Sequence, residues 1–202
     1  MRTPTLWIAA AIATIVAPVA EANPLGSSVA AGSATVTGEG TASVTVNQST
    51  DKAIVNWNTF DIGVGEATRF VQPGADSVTL NRVTGGLGTS TIDGALSANG
   101  NIFLINPDGI LFGSESVVDV GGLVATTGDI ADDDFMAGRY VFGSPGAADA
   151  SVVNAGTITA ASGGFAALVA PGVRNSGTIS ARLGQVGLPR RIRSPSISTA
   201  TG

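Results

Sequence analysis

The sequence predicts an all-β chain wound as a single-stranded parallel β-helix, and three observations carry that prediction. Short runs of β-branched and small residues, such as Ala34-Thr35-Val36-Thr37 and Ser43-Val44-Thr45-Val46, recur after residue 22, with the alternation of half-buried strands and no helical period. Gly, Asn, Asp or Pro interrupts these runs every few residues, as turns between short strands require. One segment also repeats: Val152-Val153-Asn154-Ala155-Gly156-Thr157-Ile158-Thr159-Ala160 returns 21 residues later as Val173-Arg174-Asn175-Ser176-Gly177-Thr178-Ile179-Ser180-Ala181. A period of that size is one coil of a solenoid, whose backbone pairs with the coils before and after it while alternate side chains stack inward.

Taken in chain order, residues 1–22 read as an export signal. Arg2 precedes the apolar run from Leu6 to Ala17, and Ala20-Glu21-Ala22 places small residues for cleavage after Ala22. The run is short for a hydrocarbon layer of about 30 Å and no basic stop-transfer cluster follows it. Pro24 to Asn47 are expected to form strands covering the first coil, because a bare rung presents unpaired N–H and C=O groups. Ile102–Ile105 and Leu123–Thr126 lie 21 residues apart and read as successive rungs.

In the repeat, Asn154 and Asn175 should stack and hydrogen-bond along the coil axis. Gly156 and Gly177 should occupy tight corners where a side chain would clash, with Gly163 and Gly184 in step after them. Asp129 to Ala150 breaks the rhythm and is expected to leave the coil, with a small hairpin or a single helical turn. The run Asp132-Asp133-Asp134 within it reads as a solvated face. After Leu188, two prolines and three arginines between Pro189 and Pro195 cannot continue a rung. Residues 189–202 are therefore expected to be a disordered tail, and the change of character suggests a natural truncation or shifted reading frame of a longer protein. The helical domain is thus bounded as 23–188.

Composition removes whole classes of chemistry. His and Cys are both absent and the formal net charge is −5, so there is no imidazole base, thiol nucleophile, disulfide or thiolate zinc site. The balance argues against nucleic acid as a partner, since neutralising phosphates needs a Lys/Arg surface. The basic cluster Arg190, Arg191 and Arg193 reads as solvated tail. No stretch after the signal is apolar for the roughly 20 residues of a membrane helix, so stable membrane insertion is not expected. Absence of Cys also suits a chain that must cross a second membrane unfolded.

An enzyme would have to use carboxylates, and the consecutive aspartates would point to opposite faces of an extended segment. The Gly-Gly-x-Gly-x-Asp repeat of calcium-binding solenoids does not occur. Gly85-Gly86-Leu87-Gly88 lacks the Lys and the following helix of a phosphate loop. The expectation is a non-enzymatic monomer without metal or cofactor.

The most informative turn is Asn106-Pro107-Asp108-Gly109-Ile110, between apolar strands at Ile102–Ile105 and Ile110–Phe112. Pro pre-sets φ, Asn bonds its own backbone and Gly takes positive φ cheaply. With Asn56-Trp57-Asn58-Thr59-Phe60-Asp61-Ile62-Gly63, Phe70-Val71-Gln72-Pro73, Leu80-Asn81-Arg82-Val83-Thr84-Gly85, Ile92-Asp93-Gly94 and Ala98 to Gly113, this turn closely resembles the amino-terminal secretion domain of filamentous haemagglutinins and related two-partner-secretion exoproteins. The resemblance runs in order from about Val29 to Leu188.

What it implies is a right-handed parallel β-helix with amino-terminal capping strands and a small extra-helical sheet. It further implies export to the surface of a Gram-negative bacterium or its medium through the periplasm, with the periplasmic domains of an outer-membrane β-barrel transporter as partner. Two departures stand out. Asp108 occupies the third position of the family's Asn-Pro-Asn-Gly-Ile motif, a turn-compatible replacement. A second motif of Asn-Pro-Asn-Leu type is missing, and whether Asn81, Arg82 and Val83 take its role is open. For Asn106 to Ile110, a folding role and direct transporter contact both stand. The alternative function is a self-contained short β-helical adhesin that binds a host or neighbouring-cell ligand, and a polysaccharide-cleaving β-helix ranks third.

Overall fold

A computed structural model describes residues 22–143 and 145–188. The predicted tail and all of the predicted signal except Ala22 lie outside the described residues. Two short strands come first, β1 (Ser28–Ala31) and β2 (Ala34–Thr37). The first coil holds β3 (Ser43–Gln48) and β4 (Lys52–Trp57), and the second β5 (Ala67–Val71), β6 (Val78–Val83) and β7 (Ser90–Ile92). The third holds β8 (Ala95–Ala98), β9 (Asn101–Ile105) and β10 (Ile110–Phe112). The fourth runs through β11 (Val117–Val120) and β12 (Gly122–Thr126), leaves the coil for helix α1 (Asp132–Met136), and returns as β13 (Ser151–Asn154). The fifth holds β14 (Thr157–Ala160), β15 (Phe165–Val169) and β16 (Gly172–Asn175), and the sixth β17 (Thr178–Ala181) and β18 (Gln185–Gly187).

These strands stack into three sheets, ordered β1-β4-β6-β9-β12-β15-β18, β2-β3-β5-β8-β11-β14-β17 and β7-β10-β13-β16. Neighbouring coils pair in parallel, and a bridge from Ile62 to Ile92 carries the smallest sheet down to the first coil. The result is a right-handed single-stranded parallel β-helix of about six coils, with the hand that parallel crossover connections take. Among the described strands only β1 on β4 and β2 on β3 pair antiparallel, and with the antiparallel bridge from Leu25 to Thr59 they form the cap. The cap ends earlier than Asn47, because β3 pairs in parallel with β5 and is itself a rung.

The repeat read from sequence is the observed register. Val152 pairs with Val173, Asn154 with Asn175 and Ile158 with Ile179, and Ile102 pairs with Leu123. The Asn154 amide Nδ2 donates to Asn175 Oδ1 at 2.8 Å. Gly156 and Gly177 do lie at close approaches: a Cβ on Gly177 would collide with the Gly156 carbonyl, and one on Gly156 with Gly113 and Ser116. Gly163 and Gly184 are not in step. Phe165 pairs with Gln185, so Gly184 sits on Gly164. The slip arises at the corner, where Gly163 turns with φ +81° and donates its N–H to the Arg182 carbonyl at 2.8 Å.

Inside the coil, Val44, Val55, Phe60, Ile62, Leu96, Leu104 and Phe112 are wholly buried, and Trp57 meets Phe60 edge-on at 5.6 Å between ring centroids. Outside it, a second apolar cluster covers the outer face of the first sheet. Ile54, Leu80 and Phe103 are packed there against Ile130 and Phe135. The Phe103 ring touches Phe135, Tyr140, Phe142 and Phe165 at centroid distances of 5.8, 4.9, 6.1 and 6.4 Å. Among the described residues every strand lies in the three faces of the coil, and what stands outside is the helical turn α1 with its aromatic loop. The aspartate run is more than a solvated face, because Asp132 pairs with Arg82 and Asp134 with Arg139.

Gly177→Ala forces a Cβ against the coil beneath and is expected to lower stability by about 1–3 kcal/mol, checked as a fall in denaturation midpoint without loss of the β signal in circular dichroism.

Candidate functional site

The site is built from two bends on neighbouring coils. Where β9 ends, Asn106 Oδ1 accepts the N–H of Asp108 at 2.9 Å, the Gly109 N–H returns to the Asn106 carbonyl at 3.1 Å, and Gly109 takes φ +113°. The Asn106 side chain is buried, at 1% exposure. Its Nδ2 donates to the Gly88 carbonyl at 3.0 Å and to Ser90 Oγ at 2.9 Å, while its backbone N–H donates to the Thr126 carbonyl at 3.1 Å. One asparagine thus ties the second, third and fourth coils together.

The five motif residues divide by this geometry. Ile110 is core, at 0% exposure, and Gly109 is held by its positive φ. Pro107 and Asp108 face solvent. Their carbonyls still accept bonds, Pro107 from the Ala147 N–H at 3.0 Å and Asp108 from Thr89 Oγ1 at 3.0 Å.

The segment Asn81-Arg82-Val83 at the end of β6 divides in the same way, because neighbours on a strand face opposite sides. Asn81 points inward, wholly buried, and its Oδ1 accepts the Trp57 Nε1–H at 3.0 Å. Val83 joins the core. Arg82 points outward and grips the segment before α1: Nε donates to Asp129 at 2.8 Å, Nη1 to Asp132 at 2.7 Å and Nη2 to the Ile130 carbonyl at 2.6 Å. Burial disfavours the guanidinium cation, but hydrogen bonds and charge from Asp132 and Asp129 outweigh it and hold its pKa above the usual value.

The two segments meet across a cleft of about 350 Å³. Arg82, Val83, Thr84 and Gly86 form one wall, Ile105 to Asp108 the other, and Asp129 closes one side. Beside it lies a shallow notch lined by Asp61, Leu87 and Asn106. Desolvation raises the Asp61 pKa, opposed by the hydrogen bond from the Thr91 N–H. Leu87, at 73% exposure, is a large apolar side chain standing free at this rim.

Sequence reading brought forward both strand ends, and it met Thr84, Gly86 and Leu87 without making them site residues, as it did Asp129. The glycine loop carried a partial signal, as a Gly-rich run that does not fit a phosphate loop. For Asp129 there was none, since it reaches Arg82 across 47 residues. Among the described residues Arg82 is paired to two carboxylates and Asp108 has no ion-pair partner, so the exposed charge lining the cleft is acidic. What lines it is a set of carboxylates, backbone groups and an apolar rim.

The fold defines the chain as a capped parallel β-helix module. More particularly, the chain belongs to the TPS secretion domain family, the two-partner-secretion group, whose family model matches residues 20–188. The structure is similar to the HMW1 secretion domain from Haemophilus influenzae, with TM-score 0.76 and 34% sequence identity, covering 82% of this chain and 44% of that one. Among curated relatives, a heme/hemopexin-binding protein of Haemophilus influenzae strain Rd is 44% identical over 107 residues, 53% of this chain and 12% of the relative. A second protein of that name from Haemophilus influenzae is 42% identical over 87 residues, 43% of this chain and 9% of its own length. The chain therefore spans about a tenth of the curated relatives it matches.

Two substitutions check the electrostatics. Arg82→Ala leaves two carboxylates without their cation and is expected to cost about 1–3 kcal/mol and to open the 129–142 segment to protease ahead of the coil. Asp61→Asn keeps an acceptor for the Thr91 N–H. The native Asp61 holds its proton to higher pH than the unfolded chain does, so its contribution is lost as pH rises through the carboxylate range. The expected result is matching melting temperatures near pH 3, with the Asp61→Asn variant more stable than the native chain at pH 7.

Proposed function

We propose that this chain is the secretion-competence domain of a two-partner-secretion exoprotein, recognised by the periplasmic domains of its outer-membrane β-barrel transporter and nucleating β-helix folding at the cell surface. The observation that carries the reading is the division of labour within the turn after β9. Asn106 is locked between three coils while Pro107 and Asp108 stand exposed at the cleft.

The mechanism follows from strand chemistry. Before folding, the alternating strands of the amino-terminal half offer free backbone edges, suited to β-augmentation by another protein's sheet. Once outside, each new coil satisfies the edge left by the previous one and buries its inward row, so folding runs from the capped end outward. This directionality supplies an outward bias without a nucleotide. The route places the product at the surface of a Gram-negative cell or in its medium.

A second reading, a short adhesin that binds a host or neighbouring-cell ligand, draws on one feature: Met136, Tyr140 and Val141 are exposed together on the loop outside the coil. Heme or hemopexin binding is named for the relatives; this sequence has no His or Cys, and among the described residues Arg82, the cation lining the cleft, is paired with Asp129 and Asp132.

Titration of the purified mature chain with the transporter's periplasmic domains tests the main reading. Pro107→Ala and Asp108→Ala are expected to weaken binding at least fivefold with unchanged melting temperature. Asn106→Ala, which orphans buried partners, is expected to cost about 2–4 kcal/mol of stability. No saturable binding by either the folded or the unfolded chain would sink the transporter role.

A further inference from the structure

The stretch from Ala22 to Gly26 is tied down more tightly than a chain end needs. Asn23 is 1% exposed, its Nδ2 donates to the Thr41 carbonyl at 2.7 Å and its Oδ1 accepts from the buried Thr68 hydroxyl at 3.1 Å. Pro24 is buried behind it, and the Leu25 N–H donates to the Thr59 carbonyl at 3.1 Å. On the other side of Asn23, the Ala22 N–H donates to Glu66 Oε1 at 2.9 Å. Glu66 is itself 7% exposed, and its second oxygen accepts the Gly63 N–H at 2.7 Å. A carboxylate this buried, next to the bond at which the sequence reads as cleavable, needs an explanation.

We propose that the Ala22–Asn23 bond is a processing site that folding conceals, and that Glu66 is the receptor for the α-ammonium which cleavage creates on Asn23. The proposal rests on the export reading of residues 1–22 and is independent of transporter recognition. A peptidase takes its substrate as an extended strand, and here that strand would have to withdraw Asn23 from its socket and break the bonds flanking it. Cleavage therefore precedes closure of the first coil. In the hydrolysis, water gives its hydroxyl to the Ala22 carbonyl carbon and a proton to the departing Asn23 nitrogen, which is protonated at neutral pH. The leader leaves with a carboxylate, and Glu66 exchanges a neutral N–H for a full cation one residue further on. Among the described residues the other charged side chain bonded to this stretch is Glu39, which accepts the Gly26 N–H at 2.8 Å. Among the described residues no Lys or Arg pairs with Glu66.

The chain suits a clean test, because Lys52 is its only lysine and a product starting at Asn23 has just two amines. Full-length chain is given to detergent-solubilised leader peptidase either at the start of refolding or after it. Cleavage after Ala22 is expected in the first case and at least a hundredfold slower in the second. Equal rates, or a product that starts elsewhere, overturn the proposal. Competitive amine labelling of the mature chain across pH then reads the α-amine. It is expected to titrate at least one unit above the usual range of about 7.7–8.0, to return there in Glu66→Gln and to stay raised in Glu39→Gln. A native α-amine within the usual range overturns the receptor role whether or not the Glu66 variant folds.

Discussion

Backbone pairing between consecutive coils is the constraint on which the rest of this structure depends. Each rung has its N–H and C=O groups satisfied only by the rungs on either side, so the spacing of coils is that of neighbouring strands and nothing bulky can stand between them. This is why glycines such as Gly156 and Gly177 sit where one corner presses on the next, and why the asparagines at such corners bond to one another along the axis. It is also why the amino-terminal end needs β1 and β2, which turn antiparallel to occupy edges that would otherwise invite another chain.

The same constraint shapes the polar interior of the first coils. Gln48 and Gln72 share the Thr79 hydroxyl, and Asn81 takes the indole N–H of Trp57. Buried polar groups of this kind are costly when unpaired and specifying when paired. They fix the register of the lower coils, while Ala166 and Leu168 fill the narrower space above. Outside the coil, the loop holding α1 covers an apolar face that six-coil stacking alone would leave bare. Arg82 fastens it with two carboxylates and a carbonyl. The cleft exists because that fastening stands a short distance from the Asn106 turn.

Membership of the two-partner-secretion family agrees with this arrangement. In this module each coil satisfies the backbone edge of the coil before it. Its turns mix buried and exposed positions, with Asn106 bonded inside the coil and Asp108 standing in solvent two residues on.

How much of this was legible beforehand varies with the range of the interaction. Residues 152–181 declared the coil length because a repeat is a local comparison, and Asn106 to Ile110 declared a turn because Pro and Gly act through their own φ angles. The one-residue slip that sets Gly184 on Gly164, the pairing of Asp132 and Asp129 with Arg82, and the aromatic cover over Phe103 were not readable, since each joins segments whose separation the sequence does not encode as a pattern. By itself, then, the sequence determined the β-helical class and the period, which follow from short-range chemistry repeated along the chain, and its linked motifs carried the family resemblance. Only the tertiary structure decided which motif residues face solvent, because winding the chain into coils is what brings β6, β9 and the loop before α1 to one edge.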